Sequence, residues 1–499
     1  MDASELMQSV GPLESEPYVR TMARLAGEHP DFVSVTHRAS SITRSELELR
    51  SNQLARVMMS RGLSFGDYAV IGLANGIEFY VSFFATLKVG AVPLPLSSHL
   101  PRAERQAIVD LAKPGVIIGV DPADHPGYPT LAAGFEPDRD VSDEPLPEVV
   151  SPAWKAPTSG GSTGRPKIIR SGGGAEGFPI FNSYFFGYTS EDTQAVVAPL
   201  YHNSALAMSI GGLLLGQHLV VLDKFDAETT LRAISQHRVT WLMVVPTMMH
   251  RMYRCIEQGG DYDLSSVRIL WHTASRCPEW LKEKWIDLLG PEKVMELYGG
   301  TESLAIASLN GNEWLQHRGS VGRPTIGDMK IFDDSGKELP PREIGEIYMK
   351  GMVGMPRTYE YVGADPTIKD GWETLGDLGW KDEDGYLYIA DRRVDMIVSG
   401  GANIYPAEVE NAIDQHPTVI SSVVVGLDDD DLVSRVHAIV HAEPGTTQQS
   451  ILEFLADKLV RYKIPRSIEF ADGPLRDDSG KVRRSQVRQA ANERYASNV

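Results

Sequence analysis

Cysteine is nearly absent: the 499 residues hold two, Cys255 and Cys277. That is too few for a disulfide framework or a cysteine-built metal cluster, and it fits a reducing compartment with two buried thiols. Long hydrophobic runs are missing as well. The most apolar stretches, Val81 to Leu87 and Ile210 to Leu222, are cut by Lys88 or by Gln217 and His218, short of the ~20 residues that a membrane span needs. Positive charge is in deficit, with 48 Lys and Arg against 67 Asp and Glu and a net charge of −19. Such a field repels a polyanion and excludes general nucleic-acid binding. It leaves room for one small anion, which needs only a local cradle of N–H groups and one or two cations. The amino terminus, Met1 to Gly11, lacks the basic region and apolar core of a secretory signal or transit peptide. These absences lead us to expect a cytoplasmic protein with no membrane span.

At roughly 150 residues per domain the chain predicts two or three domains. Thr43 and Glu46 have capping-box spacing, and Leu47, Leu54, Val57 and Met58 keep one apolar face as far as Gly62, which predicts an amphipathic helix. Strand and helix signals then alternate. Strands are expected near Tyr68 to Leu73, Gly90 to Leu96 and Gly115 to Val120, with helices over Glu78 to Lys88 and Arg102 to Ala112 between them. After a Pro- and acid-rich connection from Asp121 to Pro157 the alternation resumes: Gln194 to Ala198, a helix over Ala205 to Gly216, Leu219 to Leu222, a helix over Ala227 to His237, and Thr240 to Val245. Such alternation predicts a parallel sheet covered by helices. Gly327 to Gly351 reads as a smaller antiparallel unit. Beyond Asp391-Arg392-Arg393 the pattern is α+β, with a helix over Pro406 to His416, strands Ile420 to Gly426 and Arg435 to His441, a helix over Gln448 to Leu459 and a polar tail.

Thr158 to Lys167 concentrates small residues, hydroxyls and cations in the run TSGGSTGRPK. Glycines let successive N–H groups converge on an anion, while Ser, Thr and Lys add donors and charge, so the run suits a polyphosphate. Two rivals are weaker. Gly160 to Gly164 also spells G-x-S-x-G, but a nucleophile elbow on Ser162 needs a strand entering and a helix leaving, and Pro157 and Pro166 flank the loop. Gly172, Gly174 and Gly177 match a dinucleotide fingerprint whose helix Pro179 would interrupt.

Ser159 to Lys167, Pro199-Leu200-Tyr201-His202, Tyr298-Gly299-Gly300-Thr301-Glu302, Gly376-Asp377-Leu378, Asp391-Arg392, Gly400 to Glu408 and Gly480-Lys481 follow one another in order. Taken together, they resemble the motifs of the adenylate-forming superfamily of acyl-CoA synthetases, peptide-synthetase adenylation domains and luciferases. The resemblance spans almost the whole chain. With the pattern above it implies an α/β fold: a large N-terminal domain of helix-covered β-sheets with a small β-barrel-like part, residues 1–391, and a small mobile α+β C-terminal domain, residues 392–499. It also implies the chemistry: ATP and a carboxylic acid form an acyl-adenylate and pyrophosphate, and the acyl group passes to an acceptor.

The residue roles follow from the resemblance. Ser162, Thr163, Gly164 and Lys167 match the phosphate cradle. Thr301 matches the hydroxyl that reaches the α-phosphate, and Glu302 the carboxylate that holds Mg²⁺. Tyr298 matches the aromatic beside adenine, with Ser275 on the same wall, and Asp377 and Arg392 match the ribose clamp. His202 matches the gate beside the acyl pocket. Lys481 matches the mobile lysine that bridges carboxylate and α-phosphate, on a domain expected to turn about Asp391 to Asp395. Tyr201, His202, Val245, Ala274, Arg276, Gly299, Gly300 and Leu304 are the expected acyl-pocket lining, with glycines leaving room for a ring-bearing or branched acid.

Two departures stand out. The hinge position that is usually Asp or Lys is Val394, with Asp395 one step later. Ser275 is followed by Arg276 rather than proline, and this guanidinium could face solvent, stack on a base or bind a carboxylate; solvent is the favoured reading. Over Trp271 to Glu302 and Arg392 to Glu410 the resemblance is nearest to bile-acid and cyclic-acid CoA ligases, a branch that also holds amide-forming enzymes such as coronafacic acid ligase. CoA is therefore the expected acceptor, and an amino acid anchored by Arg276 the alternative. A serine hydrolase on Ser162 and a catalytically silent nucleotide-binding protein are the readings outside ligation. A homodimer is left open, because the apolar face of a dimer looks like core in a sequence.

Overall fold

The structure, a computed structural model, describes residues 15–160, 166–177, 185–352, 354, 356–399, 402–429, 432–477 and 480–496. Thr43 caps the first predicted helix, which runs Arg44–Ser60. Its hydroxyl accepts from the Glu46 N–H at 3.2 Å, and the Glu46 carboxylate accepts from the Thr43 N–H at 2.8 Å. Arg102–Ala112 and Ala227–His237 form helices with the predicted ends. The helix Ile77–Val89 is buried on every side from Phe79 onward. Lys88, which interrupts the apolar run in the sequence, turns inward to Glu48 Oε1 at 2.7 Å and Asn52 Oδ1 at 2.6 Å. Burial lowers its pKa to about 8, against the opposing pull of Glu48.

The alternating signals build two sheets. One has nine strands in the order Arg323–Ile326, Ile306–Asn310, Val294–Gly299, Ile269–His272, Trp241–Val244, Thr193–Val196, His218–Val221, Val33–His37 and Ser40–Thr43. Its interior pairs are parallel and its outer ones antiparallel. The second sheet is wholly parallel: Val92–Pro95, Tyr68–Ile71, Val116–Ile118 and Thr130–Leu131. Strands such as Trp241–Val244 are buried at every residue, which is why they read as unbroken apolar runs.

The antiparallel unit is a five-stranded sheet of Asp328–Phe332, Gly345–Lys350, Trp372–Lys381, Thr367–Lys369 and Leu387–Arg392. Among the described residues its outer strands do not pair with each other, so the barrel-like part takes the form of an open sheet. Thr158–Gly160 and Pro166–Ser171 pair antiparallel, so the glycine-rich loop joins two strands. Among the described residues a strand, Pro166–Ser171, follows the loop where a nucleophile elbow requires a helix. Gly172 serves packing: a Cβ on it would lie 1.9 Å from the Arg357 carbonyl oxygen. Glu176–Gly177 pairs with Glu16–Pro17 as a short strand, which removes the dinucleotide fingerprint.

The small C-terminal domain has its own apolar core, in which Val409, Ile413, Val424, Ala438, Ile451 and Leu455 lie between helices and the sheet around Val419–Asp429 and Val433–Ala442. The segment read as a polar tail instead forms a helix, Arg484–Ala496. Val487, Ala491 and Tyr495, four residues apart, face a second cluster with Val423, Val425 and Leu427. Three apolar positions among many charges made that stripe too thin to stand out. Among the described residues no helix is long and apolar enough to cross a membrane. Cys277 is buried but Cys255 only partly so, and both are free thiols.

Candidate active site

A continuous cleft of about 2560 Å³ runs where the large domain meets the small one. Antiparallel register places Asp377 directly across from Arg392 on neighbouring strands. Tyr298, near the end of Val294–Gly299, donates its hydroxyl to Asp377 Oδ2 at 2.8 Å, and Arg392 Nε donates to Oδ1 at 3.2 Å. Burial, then the Asp377 charge, raises the Tyr298 pKa, so the phenol remains a donor. Tyr298, 79 positions before Asp377 in the sequence, thus meets the Asp377–Arg392 hairpin pair as one polar cluster on the cleft wall.

Glu302 is 6 % exposed. Its Oε1 accepts from the Tyr361 hydroxyl at 2.5 Å and lies 3.6 Å from Lys167 Nζ, which itself sits 3.8 Å over the Tyr361 ring. Burial lowers the Lys167 pKa, opposed by Glu302. A Cβ at Gly300 would come within 2.6 Å of Glu302 Oε2 and 2.4 Å of Leu375. The glycine therefore keeps one carboxylate oxygen open to the cleft. A single open carboxylate oxygen fits Mg²⁺, a hard cation that takes one or two protein carboxylates and completes its shell with phosphate and water oxygens. No cluster of three or more His, Cys, Asp or Glu that could cage a metal occurs among the described residues.

Lys481 reaches this cleft from the C-terminal domain. Asp477 Oδ1 accepts from its N–H at 2.9 Å, and the Gly480 N–H returns to the Asp477 carbonyl at 2.9 Å, which closes the turn. Gly480 has φ of 75° and lies close against the large domain: a Cβ there would be 3.1 Å from Thr247 Oγ1 and 3.2 Å from Val245 Cγ2. Arg483 to Glu104, at 3.1 Å, ties the same turn to the large domain. Although Lys481 keeps contact with water, partial desolvation and then the Arg392 charge lower its pKa, with Asp477 and Glu302 opposing. Burial and then Lys481 lower the pKa of His202 to about 4, so its ring is neutral near pH 7. His202 Nε2 is buried without a hydrogen-bond partner.

Tyr201, His202, Val245, Ala274, Ser275, Arg276, Tyr298, Gly299, Gly300, Thr301, Glu302, Lys167, Asp377, Arg392 and Lys481 all border the cleft. Arg276 is exposed. Ala274 adopts φ of 75°, a left-handed conformation that bends the chain out of the sheet at the cleft wall. Leu304 is a correction: it is 6 % exposed and its side chain packs with Ala305, Met329 and Ile347 in the core of the antiparallel unit, while its neighbours Ser303 and Ile306 border the cleft. Ser162, Thr163 and Gly164 lie outside the described residues. Sequence reasoning missed Tyr361, which orients Glu302, and Lys155, a buried lysine beside Asn203 on the cleft wall. The signal for Lys155 was one charge between Trp154 and Ala156.

Residues 22–359 match the family model described as AMP-binding enzyme, and residues 408–481 match the one for the C-terminal domain of AMP-binding enzymes. A 2-succinylbenzoate–CoA ligase of Bacillus licheniformis is 30 % identical over 468 residues, which cover 92 % of this chain and 97 % of that one. The solved o-succinylbenzoate CoA synthetase of Bacillus subtilis, in complex with ATP and magnesium ion, superposes with a TM-score of 0.81 at 25 % identity, over 95 % of this chain and 99 % of that one. An amide bond synthetase of Marinactinospora thermotolerans shares the fold, with a TM-score of 0.79 at 22 % identity over 95 % of this chain and 100 % of that one.

Proposed function

From the premise that this chain belongs to the AMP-binding enzyme family, we propose that it is an AMP-forming acid–CoA ligase acting on a ring-bearing or branched carboxylic acid. The reaction has two halves. A carboxylate oxygen attacks the α-phosphorus of ATP and pyrophosphate leaves; the CoA sulfur then attacks the acyl carbonyl and AMP leaves. The observation that carries this reading is the meeting of Lys481, from the small domain, with His202, Arg392 and Glu302 in one cleft, with Gly480 against Val245 and Thr247.

In this assignment Asp377 accepts from the ribose hydroxyls, and Arg392 and Tyr298 hold its carboxylate in place. Lys167 neutralises phosphate charge, with the Ser162 to Gly164 loop as the remaining cradle and Ser275 beside the base. Thr301 donates to the α-phosphate. Mg²⁺ at the open oxygen of Glu302 would offset triphosphate charge. His202, neutral, orients the acid's carboxylate with its unpartnered Nε2. Lys481 holds positive charge where negative charge develops on the α-phosphate oxygens, which stabilises the transition state more than the ground state and so lowers the barrier. Tyr201, Val245, Ala274, Gly299 and Gly300 shape the acyl pocket.

For the second half-reaction the C-terminal domain, from residue 392 onward, turns about Asp391 to Asp395, withdrawing Lys481 so that the acceptor can enter. Val394 is 67 % exposed, and so free of packing that would resist such a turn. ATP and CoA as substrates, together with the free thiols, support a cytoplasmic location. The exposed guanidinium of Arg276 on the cleft wall favours one second reading, an amino-acid acceptor held by its carboxylate. Mass spectrometry of products from ATP, Mg²⁺ and a panel of cyclic and aromatic acids, offered CoA and amino acids together, tests both. Acyl-CoA is the expected product; amide without thioester would install the second reading, and no acid-dependent AMP would end both.

A further inference from the structure

Lys155 lies in an unusual place for an ammonium. The residue is 5 % exposed, and its Nζ donates to Asn203 Oδ1, a neutral acceptor. The Trp154 ring lies 4.5 Å away. No carboxylate among the described residues pairs with it, so at most one of its three N–H groups has a described acceptor. Burial lowers its pKa to about 7, with Glu302 opposing from a distance. An ammonium desolvated without a counter-charge is costly to keep, and an anion brought alongside removes that cost.

The surroundings face the same way. Lys155 and Asn203 both line the cleft. Asn203 opens the helix Asn203–Leu214, whose start has no side-chain cap, so backbone N–H groups and the positive end of the helix dipole lie beside the ammonium. His202, one residue before, presents the buried and unpartnered Nε2. Donors and positive potential therefore converge on one part of the cleft wall, where Glu302 acts only from a distance and no carboxylate among the described residues is paired with Lys155.

We propose that Lys155 and Asn203, at the uncapped start of this helix, form a specificity site for a second anionic oxygen on the acid substrate, a second carboxylate above all. The proposal rests on the ligase reading and sharpens it: the preferred substrate is a dicarboxylic acid, with one carboxylate adenylated and the other paired with Lys155. Binding completes the protonation of the Lys155 amine, so a proton is taken up with the diacid and none with its monoacid counterpart.

The test is isothermal titration of the full-length protein with acids differing by one carboxylate: phthalate against benzoate, and ortho-succinylbenzoate against benzoylpropionate, in two buffers of different ionisation enthalpy near neutral pH. The expected result is a preference of at least about tenfold for a diacid, with proton uptake. In Lys155→Met the preference and the proton uptake disappear while monoacid binding stays within about twofold. Asn203→Asp keeps the shape, supplies the ammonium with an internal carboxylate, and is expected to erase the preference as well. The absence of any diacid preference in the wild type, or its survival in both variants, overturns the proposal. AMP formation from the same acids is read separately: turnover without diacid preference removes the Lys155 site alone, whereas diacid preference without AMP removes the ligase reading alone.

Discussion

Replacing Lys481 by alanine separates the two half-reactions. The side chain shares its cleft with Arg392, Glu302 and His202 and feels each of them. One unit charge about 4 Å from developing phosphate charge, at an effective dielectric of about 20, stabilises it by about 4 kcal/mol. Water entering the vacated space returns part of that, which leaves about 3 kcal/mol, or a 10²- to 10³-fold slower adenylation. Acid-dependent exchange of labelled pyrophosphate into ATP reads that step. Transfer to CoA from chemically made acyl-adenylate reads the other, and Lys481→Ala is expected to change it by less than about tenfold, since the lysine is withdrawn by then. The substitution leaves Gly480 close against Val245 and Thr247 and Arg483 paired with Glu104, so loss of docking does not mimic the effect. Equal losses in both halves, or an exchange rate within tenfold of wild type, would refute the assignment of Lys481 to adenylation.

Asp377→Asn keeps the shape of the cluster but lets go of Arg392 and weakens acceptance from ribose; KM for ATP should rise about 10- to 100-fold in steady-state assays, with kcat changed less. Arg484→Met strips Glu410, which is 6 % exposed, of its 2.5 Å partner and leaves it with Arg476 at 3.0 Å and the Val424 N–H at 2.8 Å. A loss of about 3 kcal/mol in urea unfolding of the C-terminal domain is expected, and a loss under about 1 kcal/mol would mean that Arg476 compensates alone. Asp414 is half-buried, and desolvation raises its pKa to about 7. Because the folded form holds the proton more tightly than the unfolded one, Asp414 costs stability progressively from about pH 4 to pH 7 and fully above that. Asp414→Asn retains an acceptor for the Ser422 hydroxyl, which donates at 2.6 Å, and should flatten the loss of stability between pH 5 and pH 8 by on the order of 2 kcal/mol in urea titrations.

Local chemistry was legible in the amino-acid sequence. The Thr43 and Glu46 capping box, the ends of Arg102–Ala112 and Ala227–His237, and the hairpin that sets Asp377 across from Arg392 depend on residues close together in the chain, so their spacing carries the information. The ordered motifs likewise located Lys167, His202, Tyr298, Thr301, Glu302, Asp377, Arg392 and Lys481, all of which border the cleft. What the sequence could not show depends on partners far along the chain. Lys88 interrupts an apolar run and Lys155 stands between Trp154 and Ala156, and only packing buries them beside Asn52 and Asn203. Tyr361 becomes a partner of Glu302 only when its strand pairs with Pro166–Ser171 and brings the two together across 59 positions. Leu304 left the expected pocket lining because its side chain joins the core of the antiparallel unit, and the helix Arg484–Ala496 needed the strand Val419–Asp429 to cover its thin apolar stripe. Which residues form helices, strands and motifs was set by short-range spacing; which charges are desolvated, and therefore which can recognise an anion, was decided only by tertiary packing, because burial is a property of the whole fold.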